Sequence, residues 1–191
     1  MSGNQFIVYC GPMFSSKTTK LLTSLEKFKY QNKKVVAFKP KIDDRYSKTD
    51  IVTHSTWSYP AVLVSEGKDI LSYLASTDDI YDVIAVDELF MISGASEILI
   101  WLFKRGMTIV VSSLDLSAAA KPFHEVEKIL PFATVVEKCS AVCTVCGNDA
   151  HYTYKKADDI RNVEISVGGS EMYEPRCFKH CAAMKDLEDL I

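Results

Sequence analysis

No run in this sequence approaches the roughly 20 apolar residues that a membrane span requires, so no membrane-embedded segment is expected. The opening stretch MSGNQFIVYC has no charged leader and only a short apolar run, unlike a secretory signal. Basic residues form no dense block, and 22 lysines and arginines against 25 acidic residues leave a formal charge of −3. A protein built to grip a nucleic-acid backbone needs the opposite balance. Internal repeats and low-complexity linkers are also missing. These absences point to a cytoplasmic chain with no membrane or nucleic-acid partner. The expected ligand is a small anion held by a few focused positive groups. In that reducing setting, six cysteines read as metal ligands or buried thiols, not disulfides.

What is present suits one good core with a small appendage: 191 residues, 48% hydrophobic and 25% charged. QFIVYC (5–10), KVVAF (34–38), DVIAV (82–86) and TIVVSS (108–113) are short, β-branched and apolar without alternation. Strands of a parallel sheet read this way when helices cover both faces. Leu21, Leu22, Leu25 and Phe28 share one face of a helix predicted from about Thr18 to Tyr30, with the lysines at 27, 29, 33 and 34 on its wet face and end. SEILIWLFKR (96–105) predicts another, stopped by Gly106. Strands alternating with helices imply a doubly wound α/β sheet, whose ligands sit at the carboxyl ends of the strands. After about Cys139 the pattern changes to clustered cysteines and two short alternating segments, HYTYK and NVEISV. The expected division is a P-loop-like α/β domain over 1–138 and a small lobe over 139–191 that needs a staple.

Two sites stand out. YCGPMFSSKTTKLL follows an apolar run and opens a helix, close to the phosphate-binding pattern G-x-x-x-x-G-K-[ST]. Such a loop aims backbone N–H groups, helped by the helix dipole, at a phosphate. Gly11, Pro12, Met13, Phe14, Ser15 and Ser16 form the candidate loop. Lys17 would reach the β- and γ-phosphates, and Thr18 would place its hydroxyl on Mg²⁺. Ser16 departs from the pattern, standing where the second glycine belongs. Asp87 and Glu88, at the end of the strand DVIAV, supply a Mg²⁺ partner for Thr18 and a candidate general base. The second site is the pair of knuckles Cys143-Thr-Val-Cys146 and Cys177-Phe-Lys-His180, separated by 30 residues as in a zinc ribbon. Four protein ligands leave no open position, so a structural Zn²⁺ is expected. Cys181 is a rival to His180. Cys10 reads as a buried small hydrophobe, and Cys139 has no assignment.

Together these motifs resemble the type II thymidine kinase family. GPMFSSKTTKLL is similar to its phosphate loop, DDRYS (43–47) followed by THS (53–55) to its D-x-R-Y-S…H segment, and VIAVDE to its acidic strand. LDLSAAAKPF (114–123) is similar to its L-D-x₆-P-F stretch, and AVCTVCGNDAHYTYK with VGGSEMYEPRCFKH to its zinc lobe and substrate-covering lasso. The resemblance runs from about Phe6 to His180. It implies transfer of the ATP γ-phosphoryl group to the 5′-hydroxyl of a deoxynucleoside. Glu88 falls on the family's base, Lys17, Thr18 and Asp87 on its phosphate and Mg²⁺ groups, and Arg45 on an arginine near the transferred phosphoryl. Met91, Leu114, Ala118 and Phe123 fall around the base, and Val167, Gly168, Gly169 and Tyr173 in the lasso. His54 matches a position of no derivable role. A homo-tetramer and inhibition by an end-product triphosphate are implied too.

Where the family carries Gly-Gln-Phe-Phe after the base, this chain has Leu89, Phe90, Met91 and Ile92, and Ala118 replaces an aromatic. The expected result is a roomier, softer base pocket, with weaker thymidine selectivity or a preference for a bulkier 5-substituent. Two other functions compete. One is a P-loop ATPase or regulatory module whose ribbon binds nucleic acid, which the mixed charge of residues 139–181 disfavours. The other is an inactive relative disabled by Ser16.

Overall fold

A computed structural model describes residues 3–43, 47, 49–53, 56–156 and 168–184 of the chain. Arg45, His54, Val167 and the expected strand NVEISV lie outside the described residues.

The chain begins with β1 (Phe6–Cys10), then α1 (Lys17–Tyr30) and β2 (Val35–Pro40). Three short strands follow, β3 (Asp50–Val52), β4 (Ser58–Pro60) and β5 (Val62–Val64). Next come α2 (Gly67–Ser76), β6 (Val83–Val86), α3 (Ala95–Lys104), β7 (Thr108–Ser113), α4 (His124–Ile129) and β8 (Val135–Lys138). The remaining strands are β9 (Ala141–Val142), β10 (Asp149–Ala150), β11 (Tyr152–Lys155) and β12 (Tyr173–Arg176).

Six of these strands form one sheet in the order β5-β2-β6-β7-β1-β8, every neighbouring pair parallel. The four apolar runs of the sequence are its four central strands, as expected for strands covered on both faces. Alternation along each strand divides the core in two. Ile7, Ala37, Val83, Ala85 and Val110 meet Leu21, Leu22, Leu25 and Phe28 of α1 on one face. Phe6, Val8, Val36, Phe38, Ile84 and Val86 meet Ile70 of α2, Leu99 and Leu102 of α3 and Ile129 of α4 on the other. Helices on both faces of a parallel sheet make this an α/β fold, and all the strands end at the same edge.

Beyond β8 the described strands pair only two by two, β9 with β10 and β11 with β12, both antiparallel. Their buried apolar cluster is Ala141, Cys143 and Ala150, with Cys177 packed against it. Thr144 N–H donates to the Pro175 carbonyl at 3.2 Å, tying the first cysteine knuckle to β12. No described helix is long and apolar enough to cross a membrane.

Candidate active site and metal cluster

The carboxyl edge of the sheet carries a cavity of about 370 Å³. Met13, Phe14, Ser15, Ser16, Lys17 and Thr18 line it from the loop between β1 and α1, Asp87 and Glu88 from the end of β6, and Leu114 from the end of β7. Lys39, Asp43 and residues 51–53 complete the wall. The phosphate loop and the acidic pair thus share one cleft.

Close packing shapes the loop. Gly11 has φ +141°, and a Cβ there would lie 2.4 Å from the Cys139 carbonyl oxygen, so only glycine fits. The chain then turns through Phe14 and Ser16, both left-handed, before α1 begins. The amides of the first helical turn have no partner inside the helix and are the natural anion donors of this edge. Met13 N–H is used differently: it donates to Thr153 Oγ1 of β11 at 3.1 Å, a buried bond across 140 residues of sequence.

Lys17 is buried, its ammonium donating to the Pro12 carbonyl at 2.5 Å. Burial pushes its pKa down, opposed by the charges of Glu88 and Asp87. Thr18 Oγ1 lies 3.3 and 3.4 Å from the two Asp87 oxygens. Burial, then the neighbouring Glu88, pushes Asp87 up to about 7, while the Ser112 hydroxyl, which donates to Oδ1, pulls the other way. A hydroxyl beside a buried carboxylate is a donor set suited to a hard divalent cation. Glu88 follows with φ 50° and ψ 47°, a left-handed backbone that turns the chain sharply at the strand's end.

Sequence reasoning missed Lys39 and Ser112, and assigned no role to Asp43. Lys39 is buried at the end of β2 and donates to the carbonyls of Ser47 at 2.9 Å and Asp50 at 3.1 Å. It thereby fixes backbone beside the cavity. The available signal was position, since each of Lys39 and Ser112 lies at the carboxyl end of a buried parallel strand.

Of the candidate base-pocket residues, Met91, Phe123 and Leu114 come together with Phe90 and Val126 in an apolar cluster. Leu114 also lines the cavity, so the two regions adjoin. The Phe90 and Phe123 rings lie 4.6 Å apart. Ala118, Gly168, Gly169 and Tyr173 line neither the cavity nor this cluster. Gly169 accepts through its carbonyl from Tyr173 N–H at 3.0 Å at the head of β12.

The cysteine knuckles converge. One ligand atom from each of Cys143, Cys146, Cys177 and His180 lies within 4.8 Å of the others. Cys146 and Cys177 Sγ are 3.7 Å apart, and His180 Nδ1 is 3.8 Å from Cys143 Sγ and 3.2 Å from Cys177 Sγ. A tetrahedral ion with ligand bonds of about 2.0–2.3 Å needs edges of about 3.3–3.8 Å, so the set fits a closed four-coordinate site. Burial works to raise the Cys143 thiol, but N–H groups of Cys177, Val145 and Cys146 outweigh it and bring it down to about 5, favouring a thiolate ligand. Cys181 is buried and is not one of the four. All six cysteines are unbridged, and Cys10 and Cys139 are buried thiols raised mainly by desolvation.

A family model described as thymidine kinase matches residues 4–181. The chain belongs to the thymidine kinase family. Curated thymidine kinases of Aster yellows witches'-broom phytoplasma (strain AYWB) and Onion yellows phytoplasma (strain OY-M) are each 36% identical to it over 184 residues. In both comparisons the match covers 93% of this chain and 87% of the relative. The family match spans the phosphate loop, the acidic strand end and the four-ligand cluster alike.

Proposed function

We propose that the chain transfers the γ-phosphoryl group of ATP to the 5′-hydroxyl of thymidine or a closely related pyrimidine deoxynucleoside. The observation that carries this is one cavity, lined by Lys17, Thr18, Asp87 and Glu88, at the carboxyl edge of the sheet of a thymidine kinase family chain. The loop from Gly11 to Ser16 cradles the phosphates through backbone amides, and Lys17 neutralises the β- and γ-oxygens. Thr18 and Asp87 are the residues that would hold Mg²⁺, which when bound offsets charge on the triphosphate. Glu88 accepts the 5′-hydroxyl proton as the new O–P bond forms, and the bond between the γ-phosphorus and its bridging oxygen breaks, the electron pair leaving with ADP. Arg45 is assigned to the equatorial oxygens of the transferred group. Val167, Gly168, Gly169 and Tyr173 are assigned to the lasso over the nucleoside.

Zn²⁺ on Cys143, Cys146, Cys177 and His180 is assigned a structural role, and the chain divides between residues 138 and 139. A cytoplasmic homo-tetramer inhibited by an end-product triphosphate completes the reading. For the base, Phe123 is assigned as a ring beside the pocket, paired with Phe90, and the expected softness stays with Met91 and Ala118. Some added room for a 5-substituent follows.

Incubation with ATP, Mg²⁺ and a panel of deoxynucleosides, with products separated by chromatography, tests the assignment. Thymidine monophosphate with stoichiometric ADP is the expected result. ADP formed without any nucleoside monophosphate would make the chain an ATPase and overturn it. Turnover of 5-substituted deoxyuridines in the same panel measures pocket size, and a strict preference for thymidine would remove the roomier pocket.

A further inference from the structure

The turn after Glu88 is short, and three separate elements hold it. Phe90 N–H donates to Ser113 Oγ at 3.1 Å, fixing its start against β7. Gly67 N–H donates to the Ser93 carbonyl at 2.8 Å, fixing its end against α2. The third tie comes from α4. Glu125 is only 8% exposed, and its two carboxylate oxygens accept from Gly94 N–H and Ser96 N–H, each at 2.8 Å. Gly94 is the N-cap of α3 and offers no side chain to cap it. A carboxylate from another helix does that work, with both oxygens on charge-assisted bonds.

The two segments so joined carry facing parts of one apolar cluster. Glu125 stands two residues after Phe123, while Gly94 stands three after Met91 and four after Phe90. Phe90, Met91 and Phe123 pack together in that cluster. A carboxylate buried there costs desolvation, which its two donors offset while holding it in one place. The position of α4 against the turn is therefore set by Glu125 as well as by apolar contact, which alone tolerates sliding.

We propose that Glu125 is a positioning residue for the nucleobase pocket, setting the wall that carries Phe123 against the turn that carries Glu88 and Met91. This rests on the function proposed above. Glu125 does not touch substrate; it acts through the residues it ties together. Three kinetic readouts follow for Glu125→Ala at 25 °C. The KM for thymidine should rise on the order of tenfold. The preference between thymidine and 5-ethyl-2′-deoxyuridine should narrow. The KM for ATP should stay within about twofold of the parent value, because the phosphate loop is held by other contacts. Glu125→Gln keeps one acceptor oxygen and should fall between the parent and Glu125→Ala. Amide hydrogen exchange should quicken through residues 89–92 and not only at 94–96.

Variants with lower Tm but parental KM for both nucleosides, and faster exchange confined to residues 94–96, would make Glu125 a local helix cap and overturn the proposal. If Glu125→Ala does not fold, the nucleoside KM of Glu125→Gln decides. A parent chain that phosphorylates no nucleoside would end the functional reading, and the exchange pattern would still decide whether the tie reaches the turn.

Discussion

The six-stranded sheet and the segment beyond Lys138 order their chains by different means. On the two faces of the sheet, Leu21 and Leu22 in one cluster and Phe38, Ile84 and Leu99 in the other are fully buried. At roughly 1.5–3 kcal/mol for each large apolar side chain, such a core sustains itself. The apolar cluster of the later segment is two alanines and a cysteine with Cys177 alongside, and its strands are two to four residues long. That is too little apolar area to offset the entropy of ordering it. Four ligand atoms drawn to one point take the place of a core. The cavity lies on the self-sufficient half, while a cover over it is the role proposed for the stapled half.

Removing the metal should break this comparison most visibly. Structural zinc in small peptides contributes about 10–16 kcal/mol of apparent folding energy, far beyond what the alanine cluster can replace. Zinc chelation with Mg²⁺ restored for the assay, or Cys177→Ser, should abolish nucleoside turnover while the far-ultraviolet dichroism of the α/β half persists. Full turnover, with Mg²⁺ supplied, in protein shown by elemental analysis to be zinc-free would mean that the second half orders itself by another route.

Changing Glu88 probes the opposite dependence. Glu88→Gln keeps the size of the side chain and removes its basicity, so kcat should fall about 10²–10⁴-fold with Tm nearly unchanged. Activity within threefold of the parent would take the base role away from Glu88. The two perturbations should separate cleanly, one removing structure from the second half and the other removing chemistry from the first.

The comparison also explains what could be read from the sequence. The runs that became β1, β2, β6 and β7 were legible because strands covered on both faces show no alternation, and α1 because Leu21, Leu22, Leu25 and Phe28 repeat at helical spacing. β8 was not, since Val135, Val136, Glu137 and Lys138 are all exposed and it joins the sheet through its backbone ladder with β1. α2 has only Gly67 and Ile70 buried, too faint a stripe to predict. At the site, the loop, the acidic pair and the cysteine knuckles declare themselves by spacing within a few residues. Lys39, Ser112 and Glu125 act through partners 8 to 31 residues away, and no local pattern marks them.

Thr153 links the two halves directly. Its buried hydroxyl accepts the Met13 amide, so the phosphate loop is partly held by β11. Thr153→Val leaves that N–H buried and unpaired, at a cost of about 1–3 kcal/mol. The KM for ATP should rise several-fold, and Thr153→Ser should restore it. A Val variant with parental ATP kinetics would show that the halves meet without exchanging any constraint on the loop.

The smallest effect concerns backbone strain. Ser16 has φ 59° and ψ 23°, is exposed, and makes no side-chain capping bond to α1. For a residue with a Cβ, this left-handed conformation costs roughly 1–2 kcal/mol with nothing local to offset it. Phe14 and Glu88 adopt similar backbone nearby, and every described non-glycine residue with positive φ lies at or before Ala120. Beyond β8 the described chain meets the same need with glycine, at Gly147. A core that anchors β1 and α1 on both sides can hold a strained serine, whereas a knuckle without a core uses the unstrained residue. Ser16→Gly should therefore raise stability by about 1 kcal/mol, or about 2–4 °C in Tm, measured without nucleotide. An unchanged or lower Tm would mean that serine contributes a compensating interaction, and strain would no longer distinguish the two halves.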